Sequence, residues 1–333
     1  MLCAAAPKAP LCGLVATGRV HFQKTGADPD NSLKEPNAHP GIYVGAVIMA
    51  KWSQLQPTGR GLDTAAIDAG LAAVRRYNAA HPGTPLAAKL RIFAGPSAPA
   101  WAKSAGGAPV AVTIDDAPAQ IGRFWTVPYR AAWRQLQQSL AARYDADPLV
   151  AEIAASSCAV ATAEPFGLRV FTDSAAALHA AGFTDAAYKS CLLGVADDYT
   201  AWQHTPIDYT FGIFHDTDSG TAVRDPQFTV QAMKTWRASL SGRGILATHG
   251  LRAPLPAGLQ PIYQTMQALG PPIAFQTLQP RIDLDAAVRA GLAYHATEIE
   301  MWDTADAGGP AQVTRPMLQA WSAGFACAAR QGR

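Results

Sequence analysis

Short apolar runs alternate with stretches of helical periodicity from one end of this sequence to the other, and that alternation limits what the chain can become. The runs lie near Leu14–Phe22, Gly41–Ala50, Leu86–Ala94, Leu149–Cys158, Ile207–Phe214, Gly244–Thr248, Ile273–Thr277 and Leu292–Asp303. Gly41–Ala50, GIYVGAVIMA, is uninterrupted, as expected of a strand buried on both faces. Between the runs, Leu62, Ala66, Ala69, Ala73 and Tyr77 keep helical spacing, as do Tyr129, Trp133, Leu136, Leu140 and Tyr144. Further helices are expected over Asp185–Gln203, Pro226–Leu240, Ile262–Leu269, Leu284–Ala290 and Met317–Ala329. Parallel strands need a crossover long enough to hold a helix, so this rhythm specifies a mainly parallel α/β sheet. With no linker-like shift in composition, the expectation is a single (β/α)8 TIM barrel over residues 1–333. Residues 1–40 would form an N-terminal strand and a loop containing Asp28, Pro29, Pro36 and Pro40. Residues 106–127 would form an inserted hairpin carrying Asp115, Asp116 and Trp125.

Charged residues make up 16% of the chain and the net charge is +2, which indicates neither a nucleic-acid footprint nor an acidic tail. No apolar run approaches the length that spans a bilayer. The N-terminus, MLCAAAPKAPLCG, lacks the basic start and long apolar run of an intact signal peptide. A mature exported form is favoured over a cytoplasmic one. Five cysteines show no metal-ligand spacing; Cys3–Cys12 or Cys158–Cys191 are candidate disulfides in an oxidising compartment.

In a TIM barrel the chemistry sits where strands end and loops begin. Those positions hold Trp52, Trp101, Glu164, His215, Asp216, Asp218, His249, Gln276, Glu298, Glu300 and Trp302. Acids, histidines, amides and tryptophans on one rim suit a sugar: aromatic faces stack on pyranose C–H surfaces while polar groups take the hydroxyls. The stretch Leu292–Asp303, LAYHATEIEMWD, is central, because strand alternation puts Glu298, Glu300 and Trp302 on one face and Ile299 and Met301 on the other. An edge strand with two solvated glutamates is the competing reading. Glu300 lies nearer the rim and Glu298 deeper. Lys89 and Arg91 share one face of their strand and would be costly inside a barrel unless paired. Glu152 is the expected partner of Lys89, which leaves Arg91 for an acid or for substrate. The run His215-Asp216-Thr217-Asp218 resembles a metal site only weakly.

The apolar strand of residues 41–50 runs into Trp52-Ser53-Gln54-Leu55-Gln56-Pro57 with Leu62-Asp63 after it, Leu90–Pro99 is followed by Trp101 in a P-x-W loop, and Tyr129–Tyr144 is followed by Asp147-Pro148. On these pieces the stretch from about residue 40 to 170 resembles clan A glycoside hydrolases, especially the family 42 β-galactosidase-like barrels. The resemblance implies that Glu164 stands where that family keeps its general acid/base, although Ala163 replaces the family's asparagine. It also implies a nucleophile at the end of the seventh strand, where this chain has Gln276 and no acid.

The leading expectation is therefore a glycosidase that cleaves an oligo- or polysaccharide with two carboxyl groups and no cofactor. Glu164 would be the acid/base and Glu300, or else Glu298, its partner. Arg91, His215, Asp216, His249 and Gln276 would contact substrate, and Trp52, Trp101 and Trp302 would be sugar platforms. A non-catalytic carbohydrate-binding barrel is the alternative, and a metal-dependent hydrolase using His215, Asp216, Asp218 and His249 is a third.

Overall fold

A computed structural model of the chain describes residues 6–18, 31–114, 117–168, 173–218, 222–278, 283–302 and 313–327. Eight strands close into a barrel: β1 (Gly13–Thr17), β2 (Tyr43–Lys51), β3 (Ala87–Phe93), β4 (Val150–Ala155), β5 (Ile207–Thr210), β6 (Gly244–Leu251), β7 (Ile273–Thr277) and β8 (Glu298–Trp302). Each pairs in parallel with its sequence neighbours, and β8 closes on β1. The expected (β/α)8 TIM barrel is the fold observed.

Strand alternation divides the core in two. Ala46, Ile48 and Ala50 of β2 pack outward into the layer shared with the helices. Val47 and Met49 point inward, into a cluster with Leu11, Val15 and Phe93. Helix Ala65–Ala80 lies so close to β2 that a Cβ on Gly70 would sit 2.6 Å from Ile48. The buried face of this helix is Ile67, Leu71, Val74 and Tyr77, with Ala69 exposed, so the sequence reading placed the stripe slightly off. Tyr129, Trp133, Leu136, Leu140 and Tyr144 are all buried on helix Val127–Tyr144, as the spacing predicts.

Several boundaries differ from expectation. The segment Asp185–Gln203 splits at Gly194 into helices Asp185–Leu193 and Val195–Asp198. Pro36 lies in a short helix, Lys34–Ala38, rather than in loop. β5 stops at Thr210, and Phe214–Asp216 pairs antiparallel with Val223–Asp225 in a separate ribbon. The expected hairpin is present as Val110–Ile114 paired with Ala117–Ile121. Its Asp115 and Asp116 lie outside the described residues, as do Cys3, Asp28, Pro29, Asp303, residues 19–22 of the first expected strand and the end of the closing helix.

The N-terminal segment closes the lower end of the barrel. Lys8 Nζ donates to the carbonyls of Asp147 (2.8 Å) and Val150 (2.7 Å), and the Leu11 amide donates to Glu152 Oε1 (2.6 Å). Cys12 then bonds Cys327, not Cys3, with Cα atoms 5.7 Å apart. Barrel closure is the reason, because it brings the first strand beside the last helix, Arg315–Ala323. Cys158–Cys191 forms as expected.

With four of the five cysteines paired, alkylation of the denatured, unreduced chain is expected to label a single thiol, and all five after reduction. Cys12→Ser is expected to lower stability by about 2–4 kcal/mol, measured by denaturant unfolding. Labelling of three or more cysteines without reductant would contradict the pairing.

Candidate active site

The inward positions of four strands carry charge instead of apolar side chains. Lys89 and Arg91 come from β3, Glu152 from β4, Asp208 from β5, and Glu298 and Glu300 from β8. None is more than 4% exposed. Ile299 and Met301, on the opposite face of β8, join the helix layer. The alternation expected of EIEMW is thus present, and it turns both glutamates into the barrel.

Lys89 is the hub. Its ammonium hydrogen-bonds Asp208 Oδ2 and Glu298 Oε1, stands 2.9 Å from Glu300 Oε1, and lies 3.5 Å from Glu152 Oε2. Glu152 is therefore a partner of Lys89, as expected, but the most distant of four. Arg91 Nη2 reaches both Glu300 oxygens, at 2.6 and 2.7 Å, and Gln276 Nε2 donates to Glu300 Oε2 at 2.7 Å. Strand register makes this possible, since Gln276 is the cross-strand partner of Glu300.

Environment separates the two β8 acids. Burial opposes charge on Glu300, but Arg91, Lys89 and His249 overcome it and hold the carboxyl well below the usual carboxylate range. Burial pushes Glu298 well above that range, and the charges of Glu152, Asp208 and Glu300 add to the push against Lys89. Glu152 is raised to about 7, by burial first and by Asp208, against the pull of Lys89 and the Leu11 amide. Lys89 stays protonated: burial works against its charge, and Asp208, Glu298, Glu300 and Glu152 more than restore it.

Glu164 reaches the site by a different route. It lies nine residues past the end of β4, on a loop fixed at several points. The Ser156 amide donates to the Tyr199 hydroxyl (2.8 Å), Cys158 is bonded to Cys191, and the Tyr188 hydroxyl donates to the Pro165 carbonyl. The loop crosses Gly95 (φ +53°) so closely that a Cβ there would lie 2.0 Å from the Val160 carbonyl oxygen, so only glycine fits. Held this way, Glu164 Oε1 meets His249 Nδ1 of β6 at 3.0 Å, and His249 Nε2 meets Thr210 Oγ1 of β5 at 3.0 Å. The Glu164 side chain remains 20% exposed.

Other expected site residues are placed elsewhere or are already engaged. Trp52 is fully buried, edge-on to Trp101, Tyr129 and Trp133, so it is core and not a sugar platform. Trp101 donates its indole N–H to the Gln56 carbonyl (2.8 Å), and Gly59 covers its ring. Asp216 pairs with Lys189 at 2.7 Å, and it shares the outlying ribbon with His215. Asp218 accepts from the Asp185 amide (2.9 Å), whereas His249 binds Glu164 and Thr210, so the four residues of the metal reading do not converge. Gln276 is buried on Glu300 and positions it. Glu298 lies at the start of β8, beneath Glu300, bound to Lys89. Trp302 ends β8 partly exposed and keeps its place at the rim. Asp208 and Thr210 were missed. Their signal was the same alternation that marked β8, two polar residues at every second position of the strand IDYT.

Among the described residues, Glu152, Asp208 and Glu298 are the one group whose ligand atoms lie close enough together for a metal ion, all within 4.8 Å of one another. The Lys89 ammonium already occupies that space as their cation.

Because the Glu300 carboxyl is lower in the folded state than in the unfolded chain, its stabilising contribution is present above the unfolded value near ~4.3 and is lost as pH falls below it. Glu300→Gln leaves Arg91 buried without its carboxylate and is expected to cost about 3–5 kcal/mol at neutral pH. The difference from wild type should shrink below about pH 4 in urea unfolding series. A difference that does not change with pH would contradict an ionised Glu300.

No protein-family model matches the chain, and no curated protein sequence matches it. Solved structures do. Endo-glycoceramidase II from Rhodococcus sp., in complex with a cellobiose-like imidazole, superposes with a TM-score of 0.55 at 12% identity, covering 96% of this chain and 81% of that one. The β-glycosidase BGL167 superposes with a TM-score of 0.52 at 12% identity, covering 98% and 99%. At that identity the likeness is one of fold: this chain has the eight-stranded barrel that these glycoside hydrolases share.

Proposed function

We propose that the chain is a glycoside hydrolase acting on an oligo- or polysaccharide, with Glu300 and Glu164 as its two carboxyl groups. The observation that carries this reading is the contrast between them. Glu300 is fixed and ionised by Arg91, Lys89 and Gln276, as a nucleophile or general base requires. Glu164 is partly exposed and bound to a histidine, as a group that gives and takes a proton requires.

His249 suits that exchange. With Thr210 donating to Nε2, Nδ1–H donates to the Glu164 carboxylate. In the other tautomer Nε2–H donates to Thr210, and Nδ1 accepts from a protonated Glu164. The same two contacts thus serve both protonation states of the acid/base. Trp302 is the remaining candidate for a sugar platform. Two structures of the same fold being glycosidases supports the reaction class. The finer likeness to family 42 rests on the β2–β4 region and on Glu164; the resemblance expects an acid on β7, where the chain has Gln276, and Glu300 on β8 is the carboxylate paired beside it. Two disulfides support export to an oxidising compartment.

A non-catalytic carbohydrate-binding barrel is the second reading. It is favoured by the burial of Glu300, 1% exposed with both oxygens engaged, and by the absence of an acid on β7.

Turnover of a panel of aryl glycosides is the test. Glu164→Gln is expected to lower kcat by about 10²–10⁴-fold, while wild-type turnover in both Glu164→Gln and folded Glu300→Gln would end the assignment. Oligosaccharide binding by the wild type without release of reducing ends would select the second reading. The anomer formed first, read by NMR, separates direct attack by Glu300 from activation of a water.

A further inference from the structure

The floor of the barrel has more acid than its cations balance. Arg91 and Gln276 satisfy Glu300. Below them, one ammonium, Lys89, faces Glu152, Asp208 and Glu298, all essentially unexposed. Three carboxylates around one cation would leave two uncompensated charges in a dry interior, far more costly than protonating an acid. Hydrogen bonding shows the same deficit. Glu152 Oε1 accepts from the Leu11 amide, and Asp208 Oδ2 and Glu298 Oε1 accept from Lys89. The remaining oxygens, Glu152 Oε2, Asp208 Oδ1 and Glu298 Oε2, are buried without a hydrogen bond, the first with only the ion-pair contact of Lys89 at 3.5 Å, although these three side chains bring ligand atoms within 4.8 Å of one another.

We propose that Glu152 and Glu298 share one proton as a standing part of the folded barrel, forming an acid–carboxylate pair that anchors Lys89 beneath Glu300. One hydrogen bond between Glu298 Oε2 and Glu152 Oε2 satisfies two of the three orphan oxygens and removes one of the two surplus charges. The ammonium is then free to bridge Asp208 to Glu300. Glu298 in this arrangement is a positioning residue that acts through Lys89, not a group that meets substrate. The charged and titratable groups that bear on the pair are Lys89 and Arg91 from β3, Asp208 from β5, His249 from β6 and Glu300 from β8; β7 contributes the neutral Gln276. The upward shifts of both Glu152 and Glu298 agree with the geometry.

The proposal rests on charge and hydrogen-bond geometry, so it stands or falls separately from the glycosidase reading. A raised acid contributes stability that is full below its unfolded value and is lost as pH rises through its folded value, here about 7 for Glu152. Infrared spectra of the wild type in heavy water, with and without ¹³C-glutamate, are the direct measurement. At about pH 6, where ordinary carboxyls are ionised, a protonated-carboxyl band that moves with the glutamate label is expected. It should fade as pH rises toward about 9 and vanish in the Glu152→Gln/Glu298→Gln double variant. Glu298→Gln alone should fold and lose the wild type's decline in stability as pH rises from the unfolded carboxyl value toward about 7. Absence of the band from the wild type, its failure to shift with labelled glutamate, or its persistence in the double variant would overturn the proposal. If the double variant does not fold, the labelled wild-type spectra alone decide.

Discussion

One ammonium buried among four carboxyl groups is the constraint on which the rest of this barrel depends. Lys89 ties β3 to β4, β5 and β8 from inside, where barrels of this architecture usually stack branched apolar side chains. The apolar part of the interior is correspondingly small: Val15, Val47, Met49 and Phe93 in one cluster, and Ile245, Ala247 and Ala274 in another. Removing either sign of charge from such a centre exposes the other to an interior that cannot solvate it. That makes the cluster costly to alter and geometrically exacting.

The same centre divides two adjacent glutamates into different chemical species. Glu298 and Glu300 are two residues apart on one strand face, yet one lies among acids and the other against a guanidinium. Glu300 is thereby set as a carboxylate at the upper level of the barrel, level with Gln276. Across from it, a loop fixed by a disulfide, by two tyrosine hydroxyls and by close approach to Gly95 carries Glu164 to His249. A strand supplies one acid and a loop the other, which under the proposed glycosidase reading suits one group that stays fixed and one that exchanges protons.

Much of this was legible beforehand for a simple reason. Period-two alternation shows which face a strand residue takes, so LAYHATEIEMWD announced two inward acids, and LAAKLRIFA two inward cations. The same rule turns Asp208 and Thr210 of IDYT inward, but a strand of four residues gives a weak period-two signal. Tryptophan was the poorest guide. Trp52 and Trp101 follow strands as platforms do, yet the first is core and the second is partly buried with Gly59 packed close to its ring, because position along a strand says nothing about what the next helix and loop lay over it.

The sequence by itself determined the strand and helix rhythm, the closed parallel barrel, and which charged residues face inward, since all three follow from local periodicity and the geometry of parallel crossovers. Tertiary structure alone decided the partners: which of four acids stands nearest Lys89, that Arg91 grips Glu300 and not Glu298, that Cys12 meets Cys327, and that Glu164 reaches His249. Those choices depend on inter-strand register and on the path of loops through space, over separations of 85 residues for Glu164 and His249 and 209 for Arg91 and Glu300. No local pattern in the chain records them.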